Sequence, residues 1–234
     1  MIKVYGVKFG DKHSFKDFNL FWERFQITYP EAKTYEIDVP GADGQVDLTE
    51  LLTGDVKFNN RTVSFVFSYL GEYEKWHQVL NEVSNHLHGK KLKIIPDTEP
   101  DYFYLGRLSL ETEKTDDTMC QLTITGEVEP YKYELVSSTD RWLWNTFSFR
   151  TGIIREYNRI VVEGERTVNV IGSKRPVSPE ITCSEDMLLR AGGKEYELKK
   201  GRNHAYGLVI YDGDNELIFV GNGTVTIDYR GGRL

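Results

Sequence analysis

The chain has 234 residues, of which 39% are hydrophobic, 28% charged and 13% aromatic, and its formal net charge is −7. That length suits one large or two small domains whose cores need no disulfide or metal staple. Residues 1–130 hold 14 Lys/Arg against 22 Asp/Glu, so the first half lacks the basic stripe that phosphate neutralisation demands, which argues against specific nucleic-acid binding.

The opening MIKVYGVKFGD has no continuous apolar stretch of the signal-peptide kind, and no run approaches the roughly 18 apolar residues of a membrane span. No membrane partner is expected, and synthesis in a reducing cytoplasm is. Strands are expected near 21–28 and 33–38. Between them and the next apolar run lies YEIDVPGADGQVDLTE, residues 35–50, with Asp38, Asp43 and Asp47 close together. An EF-hand loop starting at Asp38 would need glycine at its sixth position and glutamate at its twelfth, where Asp43 and Thr49 stand. No phosphate-binding glycine motif occurs there or elsewhere in the chain. Pro40-Gly41 suits the centre of a type II turn and Asp43-Gly44 a second tight turn. The stretch therefore reads as a bend joining two strands, with Pro40, Gly41, Asp43, Gly44 and Asp47 as its turn signature.

In RTVSFVFSYL, Val63, Phe65, Phe67 and Tyr69 fall on one face and Thr62, Ser64 and Ser68 on the other. That alternation predicts an antiparallel strand with one buried face. From Tyr73 to His88 the period changes. Trp76, Val79, Leu80, Val83 and Leu87 recur at helical spacing and Gly89 follows as a cap, so an amphipathic helix is expected to lie on the sheet. His77 and His88 share a face of that helix and His86 does not. No H-x-x-x-H pair exists, so these histidines read as structural or surface groups rather than metal ligands. Lys90, Lys91 and Lys93 read as the solvated start of a strand over 91–95, and further strands are expected over 102–113 and in CQLTITGEV. Cys120 is placed in that last strand as a small core residue. Neither it nor Cys183 has a C-x-x-C neighbour, which excludes a zinc ribbon and leaves a disulfide unsupported. The first ~130 residues thus form an α+β unit.

After Tyr131 the helical signal disappears, and the domain boundary is expected between Pro130 and Tyr157. In RWLWNTFSF, Trp142 and Trp144 share a strand face. Exposed, they would stack on sugar rings; packed under the second domain or at a protein interface, they would be structural, which is the favoured reading. Strands are expected at 157–163, 167–171, 179–183, 187–190, 195–198, 207–211, 216–220 and 224–230. Ala191-Gly192-Gly193 and Asp212-Gly213-Asp214 read as hairpin loops. Such spacing suggests a β-sandwich or jelly roll. No G-x-S-x-G, S-x-x-K or other nucleophile motif occurs, and nothing calls for a cofactor.

In their order, these segments resemble the distal tail proteins of long, flexible-tailed bacteriophages and their prophage relatives. The likeness rests on Tyr35-Glu-Ile-Asp-Val-Pro-Gly-Ala-Asp-Gly-Gln-Val-Asp-Leu-Thr near the N-terminus, followed by a helix beginning like Tyr73-Glu-Lys-Trp-His and ending like Leu87-His-Gly-Lys. Then come a strand like Lys91-Leu-Lys-Ile-Ile-Pro-Asp, a tract like Tyr102-Phe-Tyr-Leu-Gly-Arg, and a proline–tyrosine close at Pro130-Tyr131. It covers residues 1–131 well. Residues 132–234 match more loosely, through their β-only pattern and the ending Gly223-Thr-Val-Thr-Ile-Asp-Tyr-Arg with Leu234 last.

The resemblance implies a mainly β protein. Its N-terminal domain, 1–131, would be a β-sandwich-like α+β unit with one helix near 73–88 that closes into a six-membered ring, single or stacked. Its C-terminal domain, 132–234, would be a galectin-like β-sandwich. The implied role is that of a non-enzymatic structural hub at the virion tail tip, assembled in the host cytoplasm. Its implied partners are the tail tube and tape-measure proteins, a tail-associated fibre or lysin protein, and receptor-binding proteins of a baseplate. DNA would pass through the ring unbound, and an acidic first domain suits such a lumen. A different class of reading makes the chain a carbohydrate-binding module for host cell-wall glycan, acting through Trp142 and Trp144. A cell-wall hydrolase has only scattered carboxylates behind it.

Overall fold

The period-two runs become antiparallel strands in the computed structural model, which describes residues 4–51, 54–115, 120–140 and 155–234. The chain divides into a unit of residues 1–132 with Leu234 and a second unit of residues 133–233. In the first, β1 (Val7–Phe9), β2 (Lys12–His13), α1 (Ser14–Phe18), β3 (Leu20–Ile27), β4 (Glu36–Asp38), β5 (Gln45–Asp47), β6 (Arg61–Tyr69), α2 (Trp76–Leu87), β7 (Lys91–Pro96), β8 (Tyr102–Thr115) and β9 (Cys120–Val128) follow in order. The main sheet runs β2-β1-β7-β8-β9-β6-β3, antiparallel throughout, and β4–β5 form a separate hairpin.

The buried face is built as the alternation requires. Val63, Phe65 and Phe67 of β6 and Leu122, Ile124 and Val128 of β9 are buried in one cluster with Phe9 of β1. Phe65 stacks on Phe25 at 4.9 Å and meets the edge of Phe9 at 5.4 Å, arrangements that complement ring quadrupoles. Helix α2, preceded by a 3-10 turn at Tyr73–Lys75, covers this face with Trp76, Val83 and Leu87. Its end is fixed at Gly89, whose φ of 71° suits only a residue without Cβ strain. The Gly89 amide donates to Leu108 O of β8 at 2.7 Å, which ties the helix end to the sheet, while the His88 amide bonds back to Ser84 O at 2.9 Å.

Strand β3 breaks strict alternation, because Glu23 is an extra residue between the pairs Trp22–Phe67 and Arg24–Val66. The bulge lets Trp22 and Phe25, three apart, both pack against the core. The Glu23 carboxylate accepts from Ser68 and, at 2.7 Å, from Gln121, which fastens this edge strand across β6 to β9. Three histidines make structural hydrogen bonds. His86 Nε2 donates to Phe9 O at 2.7 Å, and His88 Nδ1 accepts the Leu110 amide at 3.1 Å. His13 caps α1, a helix not anticipated from sequence. Its Nδ1 accepts from the amides of Phe15 and Lys16, so Nε2 carries the proton and donates to Asp97 at 3.2 Å.

The second unit holds β10 (Lys132–Glu134), β11 (Ile160–Gly172), β12 (Glu180–Cys183), β13 (Met187–Ala191), β14 (Lys194–Leu198), β15 (Gly201–His204), β16 (Gly213–Asp228) and β17 (Gly232–Arg233). Several sequence expectations are corrected. The segments 157–163 and 167–171 are one continuous strand, β11, as are 216–220 and 224–230 in β16. The two pair without interruption from Ile160–Val225 to Gly172–Gly213. Their middle, Glu163–Thr167, is exposed and polar, so it reads as a loop although the backbone ladder never breaks. The apolar run 207–211 is not a strand; Ile210 makes only an isolated bridge to Val177. The strands that were missed are β15, with the polar sequence GRNH, and the short β10 and β17.

Asp212-Gly213-Asp214 is not a hairpin loop either, since Gly213 and Asp214 belong to β16. It is one of two bends held by an asparagine. Asn215 accepts the Tyr211 amide and donates to Tyr211 O, Gly213 O and Val170 O. Asn203 makes the same contacts to Lys199, Gly201 and Ile181.

Strand β16 is the spine of this unit. On the edge away from β11 it pairs β13 over Ile218–Val220 and β12 over Val225–Asp228. Phe219 of the first stretch shares one core with Val225 and Ile227 of the second, so the two halves close on each other as a β-sandwich. A nearly buried ion pair, Arg155 with Glu134, sits at the side of this unit, and the Arg155 guanidinium lies 5.4 Å over the Tyr229 ring.

Both cysteines are buried, and neither is in a disulfide. Burial, helped by the Asp186 carboxylate, pushes the Cys183 thiol up to about 11. A thiol reagent at pH 8 is therefore expected to label Cys183 only after denaturation, and labelling of the native protein at the unfolded rate would contradict this packing. Trp76→Ala is expected to cost the first unit about 3–5 kcal/mol in a urea titration followed by circular dichroism. His77→Ala, on the exposed face of the same helix, should change it by no more than about 0.5 kcal/mol.

Candidate functional site

Between β3 and β6 the chain leaves the sheet as an arm. Its base is stitched by Thr28 N to Thr62 O and Thr62 N to Thr28 Oγ1, each 3.0 Å. Asn59 N to Glu31 O at 2.8 Å and Lys33 N to Lys57 O at 2.7 Å extend the ladder, with a bridge at Ala32–Phe58. Farther out, β4 and β5 pair as Glu36–Asp47, Ile37–Val46 and Asp38–Gln45. Leu48 N donates to Tyr35 O at 2.8 Å, and Tyr35 N to Thr49 Oγ1 at 3.0 Å.

The tip forms for local reasons. Ala42 N donates to Val39 O at 3.0 Å around Pro40-Gly41, and Gly41 has a φ of 85°, which defines a type II turn. Asp43-Gly44 closes no such backbone hydrogen bond; it is an open bend whose Gly44, at φ 73°, leads straight into β5. Asp47 Oδ1 accepts the Thr49 amide at 2.9 Å. Hydrogen bonds from the Thr49 side chain and backbone hold the Asp47 carboxyl below its ordinary range. Asp38, Asp43 and Asp47 do not converge, and among the described residues no group of three or more His, Cys, Asp or Glu could hold a metal ion.

What distinguishes the arm is its exposure. From Thr28 to Asn60 not one of the described residues is buried. Its apolar side chains are therefore open: Tyr29 is 87% exposed, Leu51 74% and Tyr35 56%, and Ile37, Val39 and Val46 are exposed as well. The sequence led to the turn but not to this surface, because Tyr35, Ile37 and Val39 alternate as residues of a buried strand would. Next to the arm, β3 ends the sheet with a neighbour on one side only among the described residues, an open edge of eight residues that includes exposed Phe21. Trp142 and Trp144 lie outside the described residues. No described helix is long and apolar enough to cross a membrane.

No family model matches the chain, and neither does any curated protein. Seven chains of solved structures do match. One is the crystal structure of the SPP1 Dit (gp 19.1) protein, described as a paradigm of the hub adsorption apparatus in phages that infect Gram-positive bacteria. The similarity covers 99% of this chain and 100% of that one, with a TM-score of 0.62 and 14% sequence identity. From end to end, the chain has the fold of a phage distal tail protein.

Proposed function

We propose that this protein is a structural, non-enzymatic hub at the tip of a phage tail, where it forms a homo-hexameric ring, single or stacked. The observation that carries the reading is the arm at 28–60, ordered without a core of its own, in a chain whose whole length follows a tail-hub fold. Fixing a residue's backbone costs about 1–2 kcal/mol, and an isolated two-stranded hairpin is marginal in water. An arm with open apolar side chains gains that cost back when a second copy covers them.

A ring needs two different surfaces on each copy, one for each neighbour. The arm supplies one. The open edge of β3 supplies the other, since an unpaired eight-residue edge invites backbone pairing from another chain. In this reading the tail tube and tape-measure proteins abut the ring on one side. A fibre or lysin protein and peripheral receptor-binding proteins attach on the other, and the surplus acids of residues 1–130 keep passing DNA from adhering.

Light scattering coupled to size exclusion tests this. At micromolar concentration the expected mass is six or twelve times the 27.1 kDa of one chain. The double change Ile37→Asp with Val46→Asp, placed across one β4–β5 pair, should give a folded monomer with unchanged circular dichroism. A wild-type protein that stays monomeric would refute the ring, and a double variant that still assembles would remove the arm from it.

A further inference from the structure

The second unit holds a groove that the hub reading does not use. The ladder between β13 and β16 runs only from Leu188–Val220 to Arg190–Ile218. Beyond Arg190 the strands part. β13 turns at Gly192-Gly193 into β14, while β16 stays paired to β11 on its other side. Segment 207–211 runs alongside, fixed by the Val177–Ile210 bridge and by Asn215, which clasps both the amide and the carbonyl of Tyr211. The space enclosed is about 710 Å³, within the range of ligand-binding clefts.

Its chemistry narrows the ligand. Tyr196 and Tyr211 line it, the latter 56% exposed, together with half-buried Val209 and Ile218. The lining groups Lys194 and Glu216, and both tyrosine hydroxyls, have no hydrogen-bond or ion-pair partner among the described residues, whereas Arg190 is engaged by Glu195 at 2.8 Å. One free ammonium and one free carboxylate in the same lining disfavour a phosphate or any strongly charged ligand. A wholly apolar ligand is disfavoured too, because it would strip water from four polar groups without replacing their hydrogen bonds. What remains is a molecule with apolar faces to lie on tyrosine rings and hydroxyls all round to donate and accept.

We propose that this groove binds a saccharide chain, with Tyr196 and Tyr211 as its stacking platforms and Lys194 and Glu216 as its hydrogen-bonding lip. The site is independent of the ring: it lies wholly within the second unit, so a protein found to be monomeric would still carry it.

The test is a glycan array spanning hexose, N-acetylhexosamine and uronic-acid oligomers, probed with the full chain, followed by calorimetric titration of the strongest hit. Tyr196→Ala and Tyr211→Ala should each weaken the Kd roughly tenfold or more, with thermal melting unchanged for Tyr211→Ala and lowered for Tyr196→Ala, because Tyr196 also packs against the core of the second unit. Tyr206→Ala is the control, since that residue is 94% exposed and does not line the groove; it should leave the Kd as it was. A blank array overturns the proposal. So does a hit that survives both groove changes or falls equally with Tyr206→Ala. Capture of an extended peptide from a displayed library through Tyr196 and Tyr211, with the array blank, would assign the groove to a protein segment instead.

Discussion

An arm of some thirty residues that keeps its order without burying a single described side chain is the feature on which the rest of this molecule turns. Backbone hydrogen bonds alone do not secure such a structure in water, because each one replaces a bond to solvent and contributes only about 0.5–1.5 kcal/mol net. The apolar residues on the arm cannot be explained by its own fold, since Ile37 and Val46 pair with each other across the hairpin and remain exposed. An element of that kind suits an interface, and the proposed symmetric assembly of identical chains would supply its partner.

The first unit is built to hold the arm in place. The arm's two stems are the direct continuations of β3 and β6, and β6 has a deeply buried face, with Val63, Phe65 and Phe67 all at 0% exposure. Strand β3 is an edge, but the Glu23 bulge pins it to Ser68 and Gln121 and turns Trp22 and Phe25 inward. Helix α2 then closes the opposite end of the core through Trp76. Aromatic packing on one side of the sheet thus converts a marginal hairpin into a projection with a fixed root. The second unit uses a different device. One long strand, β16, runs through the whole β-sandwich, and asparagine-held bends at Asn203 and Asn215 place the loops around it.

The sequence made the sheet and the long helix legible because their buried faces have strict periods: Val63-Phe65-Phe67 at two, Trp76-Val79-Leu80-Val83-Leu87 at helical spacing. The type II turn at Pro40-Gly41 was legible because proline fixes one dihedral and glycine alone takes the next without strain. Continuity of β11 was not, since Glu163–Thr167 are polar and exposed while their backbone stays paired to β16. Nor was the loop character of 207–211, where Leu208 and Ile210 are buried but lack a strand neighbour beyond one bridge. Exposure of the arm was hidden for a related reason: alternation tells which residues share a face, not whether this chain or another covers it. The groove tyrosines were invisible because Tyr196 and Tyr211 come from separate segments that only the tertiary fold brings together.

Hydrogen exchange of the arm's backbone amides, followed in the assembled protein and in dilute monomer, distinguishes an arm completed by a neighbour from one that is stable alone. If a neighbouring copy completes the arm, the amides of β4 and β5 will be strongly protected in the assembly and exchange near the rate of an unfolded peptide in the monomer, while β6 stays protected in both. Equal protection of β4 and β5 in the two states would contradict it, because the arm would then be stable without a partner.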